Sequence, residues 1–188
     1  ISRECRMPLC YGGGVNTVEH VEKLVSLGVE KVAIGYAAFV NPEMVRQAIN
    51  RVGKQSVVGI LDVKKTRFKR NYEAFVFRGN KKTNMNHIEY SNFLINLGVG
   101  EILLQNIDLD GTMKGFDKKL IKDIYENIEI PLTVLGGASS LEDIKTLVNQ
   151  FKIIGIAAGS IFIFKGKYKA VLINYPDHLQ KMEILNNQ

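Results

Sequence analysis

The segment PLCYGGG at residues 8–14 returns, altered, as PLTVLGG at residues 131–137. The two prolines are 123 residues apart, and the same offset superimposes Glu19 on Glu142 without a gap. Each copy has the pattern of a strand, a Gly-Gly turn, a helix, a second apolar strand and a turn of small residues. A βα unit takes roughly 30 residues, so the offset corresponds to about four units, and eight such units close a barrel. The sequence therefore predicts an α/β fold, a (β/α)8 TIM barrel with a two-fold half-barrel repeat.

The number of predicted strands is two short of a complete barrel. The chain has 188 residues, whereas a (β/α)8 barrel typically runs to about 250 residues. We therefore expect residues 1–188 to form a single phosphate-binding domain that holds strands three to eight, with the first two βα units absent. The alternative is a natural six-stranded open sheet. The predicted strands are Leu9–Tyr11, Lys31–Ile34, Ser56–Asp62, Glu101–Ile107, Pro131–Val134 and Ile153–Ala157.

Local signals predict helices between these strands. Asn16 or Thr17 can cap a helix that ends at Gly28. A basic, alternating stretch from Val63 to Thr83 predicts a long βα loop with a small hairpin on the carboxyl-terminal face of the barrel. Further helices are predicted to begin at Asn41-Pro42 and to span residues 86–97, 118–127 and 169–185, the last of them interrupted at Pro176.

The net charge of +6 is concentrated in one part of the chain. Such a run can be a solvated face, or it can be a basic rim that attracts a multiply phosphorylated substrate. It resembles no recognised nucleic-acid module, so a nucleic-acid partner is not expected. The basic residues concerned are Lys64, Lys65, Arg67, Lys69, Arg70, Arg78, Lys81 and Lys82.

Composition argues against several other classes of protein. No window approaches the roughly 20 apolar residues of a membrane helix, and no secretory signal is visible. Cys5 and Cys10 lack metal or redox spacing, which predicts buried free thiols, and the three histidines lie far apart in sequence. We therefore expect a cytoplasmic protein with no metal, no cofactor and no membrane partner.

In such barrels the active site lies where strands end and helices begin. Glycine lets backbone N–H groups approach an anion closely, and the following helix adds the positive end of its dipole. A Gly-Gly turn can also be merely a turn, but two of them at repeat-related positions favour two phosphate sites and a long substrate with a phosphate at each end. The strand-end glycines and their neighbours are Gly13, Gly14, Gly35, Tyr36, Gly136, Gly137, Gly159 and Ser160.

Asp62 ends the most apolar strand, where an acidic residue can act as a general acid or base or simply cap the next turn. A repeat by halves places its catalytic counterpart before Ile1, in the absent part of the barrel. Asp108 and Asp110 are not separable by pattern, because Asp-Gly is also a turn signal. Thr112 offers a hydroxyl for phosphate beside Gly111.

These residues resemble the HisF family, the cyclase subunit of imidazole glycerol phosphate synthase. The resemblance covers essentially the whole chain and implies a barrel that binds a two-phosphate substrate and receives ammonia through its amino-terminal face from a HisH-type glutaminase. It implies an acid/base role for Asp62, substrate binding by Asp110 and Gly111, an ammonia gate containing Lys31 and Glu101, and a glutaminase contact at Glu30. The matching segments are Pro8–Gly14, Gly53–Lys64, Gly98–Leu104, Ile107–Thr112, Gly115–Asp117 and Gly136-Gly137.

Three departures from that family matter. Gly35-Tyr36 stands where histidine-pathway enzymes usually carry Asn and a small hydroxyl residue, and Gln105-Asn106 replaces a smaller pair. Segments such as Asp110–Gly115 are similar to a paralogous branch associated with amidation of a surface-polysaccharide sugar. A non-catalytic phosphate-binding subunit and another phosphate-binding barrel, such as an isomerase, are further alternatives.

Overall fold

The computed structural model describes residue 4 and residues 7–66, 71–77, 79–166, 168 and 170–185 of the chain. Strands and helices alternate along most of this length. The strands are β1 (Cys10–Gly12), β2 (Lys31–Ile34), β3 (Val57–Lys65), β4 (Tyr72–Val76), β5 (Lys81–Asn86), β6 (Glu101–Asn106), β7 (Leu132–Leu135), β8 (Gly155–Ala157), β9 (Phe164–Lys165) and β10 (Ala170–Val171). The helices are α1 (Val18–Ser26), α2 (Tyr36–Val40), α3 (Pro42–Val52), α4 (His87–Leu97), α5 (Lys118–Tyr125), α6 (Leu141–Gln150), α7 (Ser160–Ile163) and α8 (His178–Leu185).

Six strands form one curled parallel sheet in the order β1-β2-β3-β6-β7-β8. Each of them pairs with the next one in that order in parallel register. Sequential parallel strands joined by helical crossovers are the arrangement of a (β/α)8 barrel. The predicted α/β barrel-type fold is therefore confirmed for these six strands, and their bounds lie close to the predicted ones.

Capping side chains set the helix starts. The Thr17 side chain accepts a hydrogen bond from the His20 N–H at the start of α1, and Asn41 does the same for Met44 at the start of α3. Asn86 and Glu89 form a complete capping box before α4, in which each side chain satisfies a backbone donor of the other residue. These starts agree with the predicted ones.

The core lies between the sheet and its covering helices. In β3, Leu61 and Val63 are fully buried, while the alternate residues Ile60 and Asp62 face the open cleft at the other side of the sheet. Gly59 leaves room for α4, because a Cβ there would lie 3.1 Å from a methyl carbon of Leu94. Alternation along one strand thus separates the packing face from the functional face.

The long βα loop after β3 contains the predicted hairpin. β3 continues past the sheet, and β4 pairs antiparallel with it from Asp62↔Phe75 to Lys65↔Tyr72. β5 then pairs antiparallel with β4 and returns the chain to α4. The hairpin stands on the carboxyl-terminal side of the sheet, directly continuous with the strand that carries Asp62.

Two predictions about local structure are wrong. The terminal helix predicted over residues 169–185, with an interruption at Pro176, forms only after that proline, as α8, whereas residues 170–171 form a short strand with β9. Backbone bonds from Leu172 and Asn174 to carbonyls of α7 hold this segment extended. Cys10 is exposed rather than buried, because all of β1 lies exposed at the sheet edge, whereas Cys5 lies outside the described residues.

Candidate active site

A cleft of about 970 Å³ opens at the carboxyl ends of the parallel strands. Its lining comes from the turns after β1, β2 and β6, from β3 and from the tip of the β4–β5 hairpin. The structure thus brings together residues that are distant in sequence. The predicted site residues that line this cleft are Gly13, Gly14, Gly35, Tyr36, Asp62 and Asp110.

Asp62 lies on the floor of this cleft with one carboxylate oxygen fully buried. That oxygen, Oδ1, has no hydrogen-bond partner among the described residues, and an unsatisfied charged oxygen is costly in a buried position. Burial raises the pKa of Asp62 to about 6, and the nearby positive charge of Lys64 opposes this rise. The carboxyl therefore gains and loses its proton near neutral pH, as a general acid or base requires.

A second, smaller depression lies beside the cleft, between the turns after β7 and β8. Its volume is about 10 Å³, on the scale of a single small polar group. Asp110 lines both cavities and so marks their junction. The other predicted site residues around this depression are Gly111, Gly136, Gly137, Gly159 and Ser160.

The glycines after β7 allow close packing as well as a turn. A Cβ on Gly136 would lie 2.5 Å from the Asn106 carbonyl oxygen, and one on Gly137 would lie 2.3 Å from the Gly115 carbonyl oxygen. Both glycines also have φ near +104° (103° and 104°), where other residues are strained. The Gly115 N–H donates to the Gly137 carbonyl over 2.7 Å, which ties this turn to the loop after β6.

The turn after β1 also has the backbone conformation that favours glycine. Gly13 and Gly14 have φ of 108° and 73°, and a Cβ on either would meet no atom of the described residues within 4 Å. The nine-residue helix α1 follows this turn, so its first N–H groups lie close to the cleft.

The loop after β6 separates its two aspartates. Asp108 accepts a hydrogen bond from the Lys65 N–H at 2.9 Å and so fastens the end of β3. Asp110 instead accepts a hydrogen bond from the side-chain amide of Gln105 at 3.0 Å, and it lines the cleft. The Thr112 hydroxyl donates to the Leu109 carbonyl at 2.8 Å, and Thr112 is absent from the described lining of either cavity. Its predicted contact with phosphate stays a prediction.

Two aromatic rings pack together at the rim of the cleft, and the sequence predicted only one of them. The rings of Tyr36 and Phe77 lie 5.3 Å apart between centroids, at 57° to each other. Tyr36 was singled out by its sequence, whereas Phe77 was not, because the turn at Gly79-Asn80 does not indicate which side chain reaches the cleft. The Lys81 ammonium lies 5.9 Å from the centre of the Tyr36 ring.

At the opposite, amino-terminal ends of the strands, Lys31 and Glu101 form an ion pair. The Lys31 Nζ lies 2.6 Å from Glu101 Oε2, and the hydroxyl of Thr133 donates to Glu101 Oε1 at the same distance. The hydrogen bond to Glu101 raises the pKa of Lys31. Glu30 lies exposed beside this group. Thr133 was missed in the sequence. The register of β6 and β7 pairs it with Leu103, two positions along the strand from Glu101.

The described residues contain neither a metal-binding cluster nor a membrane-spanning helix. No group of three or more His, Cys, Asp or Glu side chains is placed to hold a metal ion within the described ranges. In the same part of the chain, no helix is both long and apolar enough to cross a membrane.

The sequence matches the model of the family described as "Histidine biosynthesis protein" over residues 1–169. It is 50% identical over 185 residues to "Putative imidazole glycerol phosphate synthase subunit hisF3" of Vibrio vulnificus (strain YJ016), covering 98% of this chain and 71% of that protein. A HisF protein of the same designation from Leptospira borgpetersenii is 46% identical, with 96% and 71% covered. A hisF2 protein of that designation from Pseudomonas aeruginosa PAO1 is 42% identical, with 98% and 72% covered.

Proposed function

We propose, because the chain belongs to the histidine biosynthesis protein family and to its HisF-type members, that it is a synthase subunit that uses ammonia on a substrate carrying two phosphates. The formal reaction is that of imidazole glycerol phosphate synthase, a cyclase-type lyase of histidine biosynthesis. One observation carries the proposal. The buried carboxylate oxygen of Asp62, which has no hydrogen-bond partner among the described residues, lies in a cleft that also contains the Gly13-Gly14 turn.

Asp62 is the proposed acid/base. Its raised pKa of about 6 means that it accepts a proton in one step and returns it in another without a large energetic barrier. The cleft supplies the water-poor surroundings that produce this shift. In the HisF family a second aspartate also acts as an acid or base. The half-barrel repeat places the position of that aspartate before Ile1.

The two phosphates are proposed to bind at the two Gly-Gly turns. Gly13 and Gly14 precede the nine-residue helix α1, and Gly136 and Gly137 precede the ten-residue helix α6. Helix N-termini attract anions through unpaired N–H groups and the helix dipole. The lysines of the hairpin add positive charge on the same side of the sheet.

Ammonia is proposed to enter from the opposite face. The Lys31–Glu101–Thr133 group lies at the amino-terminal ends of β2, β6 and β7, where a glutaminase of the HisH type would dock close to Glu30. HisF-type subunits generally work with such a partner. We propose that the complex acts in the cytoplasm.

A second candidate function is ammonia supply for the amidation of a surface-polysaccharide sugar. The observation that favours it is the Tyr36 ring in the cleft. This ring occupies space where the histidine-pathway members have a small hydroxyl side chain, and it replaces a phosphate-binding group with an aromatic surface.

The test is a turnover assay on the full-length protein. We would supply the histidine-pathway precursor with ammonium at alkaline pH, where free ammonia is available, and follow imidazole glycerol phosphate. We expect Asp62→Asn to lower turnover at least about 100-fold, since a positioned acid or base contributes about 10² to 10⁴. Asp108→Asn is the matched control, because an amide oxygen can still accept the Lys65 N–H.

The outcomes separate the alternatives. Product formation that depends on Asp62 places the protein in histidine synthesis. Folded, phosphate-binding protein that forms no product instead favours the sugar-amidating function. Turnover that survives Asp62→Asn would remove Asp62 from the mechanism.

A further inference from the structure

The cleft beside the Gly13-Gly14 turn is bordered by larger side chains as well as by glycine backbone. Val40, Ile60 and Phe77 supply apolar surface there. A ligand that binds a phosphate at this turn therefore also meets apolar side chains.

The aromatic pair of Tyr36 and Phe77 forms one wall of this cleft. Tyr36 and Phe77 keep 42% and 58% of their surface exposed, so each ring offers a free face. The Lys81 ammonium lies 5.9 Å from the centre of the Tyr36 ring and 5.7 Å from that of Phe39, close enough for cation–π attraction. Tyr36 is thus held by Phe77 on one side and by a cation on another.

The hairpin tip is held in place around Phe77. The Asn80 N–H donates to the Phe77 carbonyl at 3.1 Å, and the Lys64 Nζ donates to the Gly79 carbonyl at 2.7 Å. Phe77 itself has φ of 56°, a rare conformation for a bulky residue. Backbone strain of this kind persists where the surroundings fix it and is concentrated at ligand clamps. The Phe77 ring therefore packs against Tyr36 and leaves its other surface exposed to the cleft.

Polar side chains surround this wall. The amides of Asn16, Asn41, Asn80 and Gln105 line the same cleft, and each can both donate and accept hydrogen bonds. Among the described lining residues, only Asp62 and Asp110 have charged side chains. Neutral donors and acceptors around an aromatic face suit a ring that bears several hydroxyl groups.

We propose that Tyr36 and Phe77 form a subsite for the ring of a sugar phosphate. The C–H face of the sugar lies against the exposed aromatic face, its hydroxyls bond to the surrounding amides, and its phosphate binds at a Gly-Gly turn. The proposal rests on the proposed function in one respect, namely that a glycine turn holds the phosphate. It names the group that the cleft would bind beside the phosphate, namely a sugar ring.

The test is calorimetric titration of the full-length protein with glucose 1-phosphate, glucose 6-phosphate and inorganic phosphate. We expect at least one sugar phosphate to bind about tenfold tighter than inorganic phosphate, an effect typical of one well-placed aromatic contact. Phe77→Ala and Tyr36→Leu should remove this difference, whereas Tyr36→Phe should keep it. Lys82→Ala is the matched control, since Lys82 pairs with Glu73 on the same hairpin and is absent from the described cleft lining.

Three results would overturn the proposal. They are equal affinity for the sugar phosphates and inorganic phosphate, a preference that survives both Phe77→Ala and Tyr36→Leu, and tighter binding of uridine monophosphate than of either sugar phosphate. Because Phe77 is exposed, its truncation should leave the circular dichroism spectrum unchanged. Turnover is measured separately with Asp62→Asn. Loss of the sugar preference with intact ammonia-dependent turnover would reject this subsite alone, and the reverse result would reject the proposed reaction alone.

Discussion

Asp62 has a buried carboxylate oxygen that accepts no hydrogen bond from the part of the chain that the structure describes. Burial raises the pKa of Asp62 from 3.8 to about 6, so the folded protein holds this proton more tightly than the unfolded chain does. The resulting stabilisation is complete below about pH 4 and is lost as the pH rises through 6. At pH 8 the ionised carboxylate therefore lowers the free energy of unfolding.

Asp62→Asn should for this reason stabilise the protein at pH 8 by about 1 to 3 kcal/mol, because one pKa unit corresponds to about 1.4 kcal/mol. At pH 4 the neutral acid and the amide are similar, and the difference should nearly disappear. Urea unfolding at both pH values measures this change. Asp108→Asn should show no such gain, and an equal gain for Asp62→Asn at both pH values would contradict the explanation by ionisation.

Single residues differ in how well the sequence predicts their places. Asp62 and the Gly-Gly turns were predictable because they follow apolar strands, and strand ends share one face of a barrel. Thr133 and Phe77 were not predictable. The contact of Thr133 depends on the register between two strands, and the contact of Phe77 depends on the conformation of a hairpin tip. Their partners, Glu101 and Tyr36, are 32 and 41 positions away, as numbered in the sequence.

At the scale of elements, the β4–β5 hairpin is fastened to α5 through one side chain. Tyr72 is 1% exposed, and its hydroxyl donates to both carboxylate oxygens of Asp117 at 2.9 and 2.8 Å. Asp117 also accepts the Leu120 N–H and so caps α5. Burial, followed by the hydrogen bond to Asp117, raises the pKa of Tyr72.

Tyr72→Phe should lower the free energy of unfolding by about 2 kcal/mol, since a hydrogen bond to a charged group is lost in a buried place. The measurement is urea unfolding followed by circular dichroism. Tyr125→Phe is the control, because the Tyr125 hydroxyl has no hydrogen bond within the described residues, and its effect should stay below about 0.5 kcal/mol. Equal effects of the two substitutions would show that the hairpin is held mainly by packing.

The elements themselves were largely predictable, with one informative failure. The parallel strands carry continuous apolar runs typical of a covered sheet, and Asn and Thr caps mark the helix starts. The local sequence before α8 predicts a helix, but backbone hydrogen bonds to α7 and pairing with β9 hold this segment extended. Tertiary contacts of this kind override local propensity.

At the scale of the whole molecule, the two ends of the sheet carry different groups. The hydrogen-bonded group of Lys31, Glu101 and Thr133 lies at the amino ends of the strands, and the Asp62 cleft lies at their carboxyl ends. Sequence repeats predicted this polarity, because parallel strands in chain order place all their carboxyl ends on one face. The order of the strands is confirmed, whereas the passage of ammonia between the two ends stays a prediction.

Lys31→Ala should therefore lower glutamine-driven turnover several-fold more than turnover with free ammonium, which reaches the cleft directly. Steady-state assays of the complex with its glutaminase, with each nitrogen source in turn, make the comparison. Lys23→Ala, on the exposed surface of α1, is the control and should affect neither. Equal losses with both nitrogen sources would count against a gate at Lys31.

The close packing at the turn after β7 bears on how this part of the protein can evolve. A Cβ on Gly137 would lie 2.3 Å from the Gly115 carbonyl oxygen, so even Asn, which tolerates left-handed backbone, cannot replace this glycine unless the loop after β6 moves. A new specificity at this turn therefore has to come from the side chains around it rather than from the glycine itself.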